Sequence, residues 1–122
     1  MNNTEKGAKG EKIASEYLIQ LGYSILENNW RYKGCEVDII AKENNTLVFV
    51  EVKTRTNTKF GLPEEAVAKP KQKQLIQAAD EYIFQQNHKD EIRFDVIAIQ
   101  LAKNQNHDIL HIKDAFFGFQ DY

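Results

Sequence analysis

The sequence predicts an α/β domain in which helices flank a mixed β-sheet, with elements in the order α-β-β-β-α-β-β. Three observations carry that prediction. Two separated segments repeat apolar residues at helical spacing, and five short runs are rich in Val, Ile, Phe and Tyr, as half-buried or buried strands are. The second helical segment falls between the third and fourth strands, so a later strand has to pair in parallel through a crossover. Helices covering a mixed sheet are the packing solution for such an order.

The first helix spans about Glu5 to Leu21, with an apolar stripe of Ala14, Leu18 and Leu21 flanked by Ile13 and Tyr17. Glu11 borders that stripe, because it precedes Ala14, Ser15 and Leu18 by three, four and seven positions. Gly22 is a C-terminal stop. Gly7 and Gly10 are unexpected in a helix, each costing about 0.5–1 kcal/mol relative to Ala. Close approach of a backbone or ligand explains them, and so does a frayed helix start. Tyr23–Trp30 reads as a strand and Arg31–Gly34 as a turn, followed by strands at Cys35–Ala41 and Leu47–Lys53. A polar loop covers Thr54–Pro63. The second helix opens near Pro70, which suits a first helical turn, and presents Leu75, Ile76, Ala79, Tyr82 and Ile83 inward before ending around Asn87-His88. Ile92–Leu101 is a strong strand and Ile109–Lys113 a short one. The tail Phe116-Phe117-Gly118-Phe119 either packs back on the body or offers a partner surface.

The 122 residues make one domain, 1–122, large enough for a real core, with 42% hydrophobic and 28% charged residues as in ordinary globular proteins. No apolar run approaches the ~20 residues of a membrane span. The N-terminus lacks the apolar stretch of a secretory signal. Cys35 is the single cysteine, so no internal disulfide forms; a cytoplasmic location is expected. The net charge of −2 gives no overall pull toward nucleic acid. From Lys53 to Lys73, however, six basic residues face Glu64 and Glu65, a local balance of +4 that leaves −6 elsewhere. That segment can track a phosphate backbone, or be a solvated loop and helix start.

Four charges stand in two of the apolar strands. In Leu47–Lys53, alternation puts Glu51 and Lys53 on one face and Val48, Val50 and Val52 on the other; Glu36 and Asp38 share a face in Cys35–Ala41. Buried charges are costly unless paired or bound to metal. With Asn44 and Asn45 as the central turn residues, position i faces position 89 minus i, which sets Asp38 opposite Glu51 and Glu36 opposite Lys53. Opposed carboxylates about 4.5–5.5 Å apart at Cβ repel one another and suit a hard cation such as Mg²⁺. An edge-strand charge pair that blocks aggregation is the structural alternative for Glu51 and Lys53, although the valine run points to a central strand. Glu36 is either accessory to the site or bridged to Lys53 or Arg31. Arg93 and Asp95 read as a partly buried structural ion pair. Zinc is disfavoured: His107 and His111 lie about 13 Å apart along an extended segment at roughly 3.3 Å per residue, and one cysteine completes no structural zinc site. Cys35 reads as a small buried residue, since no histidine is placed to activate it.

Asp38, twelve intervening residues and Glu51-Val52-Lys53 resemble the D…(D/E)-x-K signature of the PD-(D/E)XK nuclease superfamily. Further segments extend the likeness: Gly7-x-x-Gly10-Glu11, Gly34-Cys35-Glu36-Val37-Asp38, Phe49-Val50-Glu51-Val52-Lys53-Thr54-Arg55, Phe60-Gly61 and Arg93-Phe94-Asp95-Val96. Together they resemble the YraN-like family of small bacterial proteins, predicted endonucleases, over nearly the whole chain. A more distant likeness is to archaeal Holliday-junction resolvases. Val37 stands where the superfamily's naming proline would be.

The resemblance implies a restriction-endonuclease-like α-β-β-β-α-β core and a metal-dependent endonuclease. Asp38, Glu51, Lys53 and Glu11 would be catalytic. Asp38, Glu51, the Val52 carbonyl and Glu11 (directly or through water) would hold Mg²⁺ or Mn²⁺, and Lys53 would orient the attacking water and offset transition-state charge. The partner would be nucleic acid, expected to be DNA. By position, Thr54 and Arg55 directly after the site are the better candidates for phosphate contacts, and Lys71 and Lys73 at the second helix start either touch nucleic acid or form a solvated face. The alternative is a non-catalytic nucleic-acid-binding module of the same fold; a weaker one is a scaffold acting through the aromatic tail. A junction-cutting role would favour a two-fold homodimer.

Overall fold

The computed structural model describes residues 1–56, 67–104 and 106–116. Its elements are α1 (Asn3–Gln20), β1 (Ser24–Tyr32), β2 (Cys35–Glu43), β3 (Thr46–Arg55), α2 (Lys69–Gln86), β4 (Ile92–Leu101) and β5 (His107–Phe116). Order and type are those expected, and β4 keeps its expected bounds. The final strand is longer than the Ile109–Lys113 expected, because pairing with β4 continues from Leu101↔His107 to Phe94↔Phe116. Phe116 is buried in the core; the rest of the aromatic tail, Lys59 and the Phe60-Gly61 motif lie outside the described residues.

One five-stranded sheet runs β1-β2-β3-β4-β5. Among the described strands only β3 and β4 pair in parallel, and α2 lies in that crossover. The β2–β3 hairpin has the expected register: Glu43↔Thr46 through Ile39↔Val50 all sum to 89, with Asn44 at a left-handed φ of 54° in the turn. α1 closes at Gly22 (φ 95°), where the Tyr23 N–H returns to the Leu18 carbonyl at 3.0 Å.

Each face of the sheet has its own core. Ala14 and Leu18 of α1 pack with Ile39, Ala41, Val48, Val50, Ile97 and Ile99 on one face. Leu75, Ile76, Ala79 and Tyr82 of α2 pack with Ile40, Phe49, Phe94 and Val96 on the other. β3 alternates strictly between them, which is why it reads as a nearly continuous apolar run. Among the described residues, no helix is long and apolar enough to cross a membrane.

Candidate active site

The acidic cluster forms where β2 parts from β3. Cys35 and Val37 pack on the α2 side, as does Ile40, whereas Ile39 and Ala41 pack on the α1 side. The inward phase of β2 therefore slips next to Asp38. β1 slips at the same level: Asn28 bonds to Ser15 and Asn29 to Glu11, two consecutive side chains toward α1, while Trp30 turns to the α2 core. Asn29 absorbs the slip with a left-handed φ of 54°, a conformation Asn tolerates better than most residues.

Beyond Ile39↔Val50 no further β2–β3 partner continues the ladder. The Asp38 side chain instead accepts the Val52 N–H at 2.7 Å. Its carboxyl thus lies against β3 beside Glu51, a residue only 7% exposed. Burial, first, and then the Glu51 charge push the Asp38 pKa up to about 8, against the opposing pull of the Val52 hydrogen bond. A hydrogen bond with Glu51 and the charge of Glu11 add to the rise. Lys53 stands 3.7 Å from Glu51.

Glu11 reaches the same place from α1. Carboxylate oxygens of Glu11, Glu36 and Asp38 all lie within 4.8 Å of one another. Between Glu11 and Glu36 stands the Asn29 amide, whose Nδ2 donates to both, at 2.7 and 2.8 Å. The expected opposition of Glu36 and Lys53 does not occur. Glu36 is instead directly across from Arg31 in the β1–β2 ladder and bridges to it at 2.8 Å. Glu36 is therefore part of the converging set, and Glu51 approaches Asp38 from the other side.

All these donors are carboxylate oxygens, the preference of a hard cation. Mg²⁺–oxygen bonds of about 2.0–2.1 Å allow at most ~4.2 Å between two ligand atoms. A spread of up to 4.8 Å fits Mg²⁺ only if the side chains draw in slightly or one acts through water. Displacing the Asn29 amide is the evident route to that contraction.

Of the residues expected to contact phosphate, Arg55 and Lys73 are exposed and Lys71 is half-buried, near enough to act on the Cys35 thiol. Thr54 does not share that exposure: at 7% it is packed beneath Gly10 of α1. The Cys35 thiol is pushed up by burial, so it is a poor nucleophile.

Arg93 and Asp95 form the expected ion pair at 2.8 Å, within a network that sequence reasoning missed. His111 Nε2 also meets Asp95, at 2.7 Å, and its Nδ1 meets the Tyr17 hydroxyl at 3.0 Å; Arg93 reaches Tyr23 and Glu43. Asn29 was missed as well. Its one sequence signal was a pair of asparagines, poor strand formers, in the middle of a strand.

The model of the family described as "Uncharacterised protein family UPF0102" matches residues 10–99, a span that contains Glu11, Asn29, Glu36, Asp38, Glu51 and Lys53. UPF0102 proteins from Caldicellulosiruptor saccharolyticus and Clostridioides difficile are each 49% identical to this chain, covering 95% of it and 100% of their own length. One from Geotalea daltonii is 50% identical over 94% of this chain and 91% of its own. The chain belongs to the UPF0102 family.

Proposed function

We propose that this protein is a metal-dependent endonuclease of the PD-(D/E)XK type, hydrolysing phosphodiester bonds in DNA. The observation that supports this best is Asp38: a carboxylate tucked against β3, beside Glu51 and near Glu11 and Glu36, with a single backbone donor among the described residues. Such a concentration of negative charge is what a divalent cation would relieve. Asp38 and Glu51, the Val52 carbonyl and Glu11 would hold Mg²⁺ or Mn²⁺, with Glu36 as a further oxygen donor. A cation bound there lowers the pKa of water and offsets charge developing on phosphate.

The chain's own residues would do the rest. Lys53, two positions after Glu51 and partly exposed, would orient the attacking water and add a fixed positive charge beside the reacting phosphate. Arg55, Lys71 and Lys73 would hold the backbone of the nucleic acid. Exposure of Arg55 and Lys73 equally suits the second reading, a nucleic-acid-binding module without turnover.

A panel of linear, single-stranded and branched DNA and RNA, incubated with Mg²⁺ or Mn²⁺, tests both. Cleavage is expected and should be lost in Asp38→Ala and Lys53→Ala while far-ultraviolet circular dichroism stays unchanged. Salt-sensitive binding with no product on any substrate would support the binding module instead. Neither cleavage nor binding would sink both.

A further inference from the structure

The two glycines of α1 have different surroundings. Among the described residues, a Cβ on Gly7 would meet nothing within 4 Å. Gly10 is buried, and forms with Ala14 and Leu18 the row that faces the sheet. A Cβ on Gly10 would overlap Thr54 Oγ1 and stand 2.9 Å from Thr54 Cβ and 3.0 Å from Cγ2. Comfortable carbon–carbon contact needs about 3.5–4.0 Å. The α1 backbone therefore rests on the Thr54 side chain of β3 at this point.

That contact joins two parts of the acidic site. Glu11 is the next residue on α1, and Glu51 lies three residues before Thr54 on β3. β3 also holds Asp38, through the Val52 N–H. Glu11 spans the gap by a hydrogen bond of 2.7 Å to Asn29, and a hydrogen bond of that kind does not survive an outward shift of an ångström or more.

We infer that Gly10 is a positioning residue for the acidic site: the close seat of α1 on Thr54 is what carries Glu11 to Glu36 and Asp38. The inference rests on reading that cluster as a cation site. Helix propensity offers no competing explanation, because Ala is the better helix former and Gly10→Ala improves α1 in every respect but this contact. A methyl group there forces the first half of α1 away from β3. The apolar anchor at Leu18, two turns further on, remains in place.

Two readouts test this on the full chain: Mn²⁺ affinity by calorimetric titration, and the NMR position of the Asn29 side-chain amide, with Glu11→Ala marking where that amide resonates without its Glu11 bond. Gly10→Ala should weaken Mn²⁺ binding at least tenfold and move the amide toward the Glu11→Ala position. Thr54→Leu, which crowds the same seat from the strand, should do the same. Adding Thr54→Ala to Gly10→Ala removes Oγ1 and Cγ2, and should restore at least threefold of the affinity and much of the amide shift. Leu18→Val loosens the helix core without touching the seat, so it should leave both readouts unchanged. Wild-type values in Gly10→Ala, no recovery in the double variant, or an equal loss in Leu18→Val would each overturn the inference. If the wild-type protein binds no Mn²⁺, the cation reading fails, and the Asn29 amide still decides whether Gly10 positions Glu11.

Discussion

Asp38 and Asp95 flank β3 at nearly the same level, since Val50 pairs with Ile39 on one side and with Asp95 on the other. Both carboxylates are set into the sheet, but their surroundings differ. Asp95, 1% exposed, accepts from Arg93 Nε and Nη2, from His111 Nε2 and from the Asp114 N–H. Burial alone would raise its pKa, but His111 and then Arg93 outweigh it, and the carboxyl is held below its ordinary value. Asp38 accepts from the Val52 N–H and has acidic neighbours, and burial together with Glu51 raises it. The fold can satisfy a buried carboxylate completely, and at Asp95 it does. That it leaves Asp38 among other acids, on the strand next to β3, is what the proposed cation site would call for.

The largest effect should come from breaking the satisfied side. Asp95→Ala leaves Arg93 and His111 facing a hole, and removal of one partner from a buried ion pair costs about 3–5 kcal/mol. Urea denaturation should show this loss in full, with no dependence on divalent metal. The second effect belongs to the other side. Mn²⁺ at a hundred times its dissociation constant should stabilise the wild-type protein by about 2.7 kcal/mol. The same addition to Asp38→Asn should change little; equal stabilisation of both would mean that the ion binds elsewhere.

A third effect is smaller and opposite in sign to most substitutions. In metal-free buffer at pH 7, Asp38→Asn should stabilise the protein by about 1–2 kcal/mol, because the amide keeps an acceptor for Val52 and, unlike a carboxyl with a folded pKa of about 8, takes up no proton on folding. The pH dependence follows. An acid whose folded pKa is raised loses stability as pH climbs from its unfolded value, 3.8, toward about 8, so the advantage of Asn should grow over that window and vanish at its lower end. Asp95, with a depressed folded pKa, contributes stability that is present above its unfolded value and lost as pH falls through the folded one. The metal-free protein should therefore be most stable in mild acid, and Asp38→Asn should flatten the neutral limb alone.

Much of this contrast was legible in the residues. The asparagine turn and the valine alternation set the β2–β3 register, and with it the nearness of Asp38 to Glu51. Arg93 and Asp95, two apart on a strand, announced their pairing. What stayed hidden depended on contacts distant in the chain. His111 reaches Asp95 across a strand pair, and Tyr17 reaches His111 from 94 residues away. No local pattern says where the β2–β3 ladder stops, so Glu36 was expected opposite Lys53 when it lies across from Arg31. Gly7 and Gly10 look alike in a helix until the strand beneath one of them is known.

Two arginines bring the comparison to its smallest effect. Arg31–Glu36 and Arg93–Asp95 have the same separation, 2.8 Å, on the two sides of the sheet's centre. By distance alone they would count equally. Arg31 is 75% exposed, however, and Arg93 only 18%. Water already solvates the first pair, so Arg31→Ala should cost less than about 0.5 kcal/mol, and salt should erase even that. Glu36 keeps its Asn29 donor in that variant and remains beside Glu11. Removing a positive charge from the rim of an acidic cluster also favours a cation, so Mn²⁺ should bind at least as tightly as before. A large stability loss in Arg31→Ala, or a collapse of Mn²⁺ affinity, would show that the acidic side is held together by ion pairs as Asp95 is, and the division between a structural carboxylate and a functional one would fall.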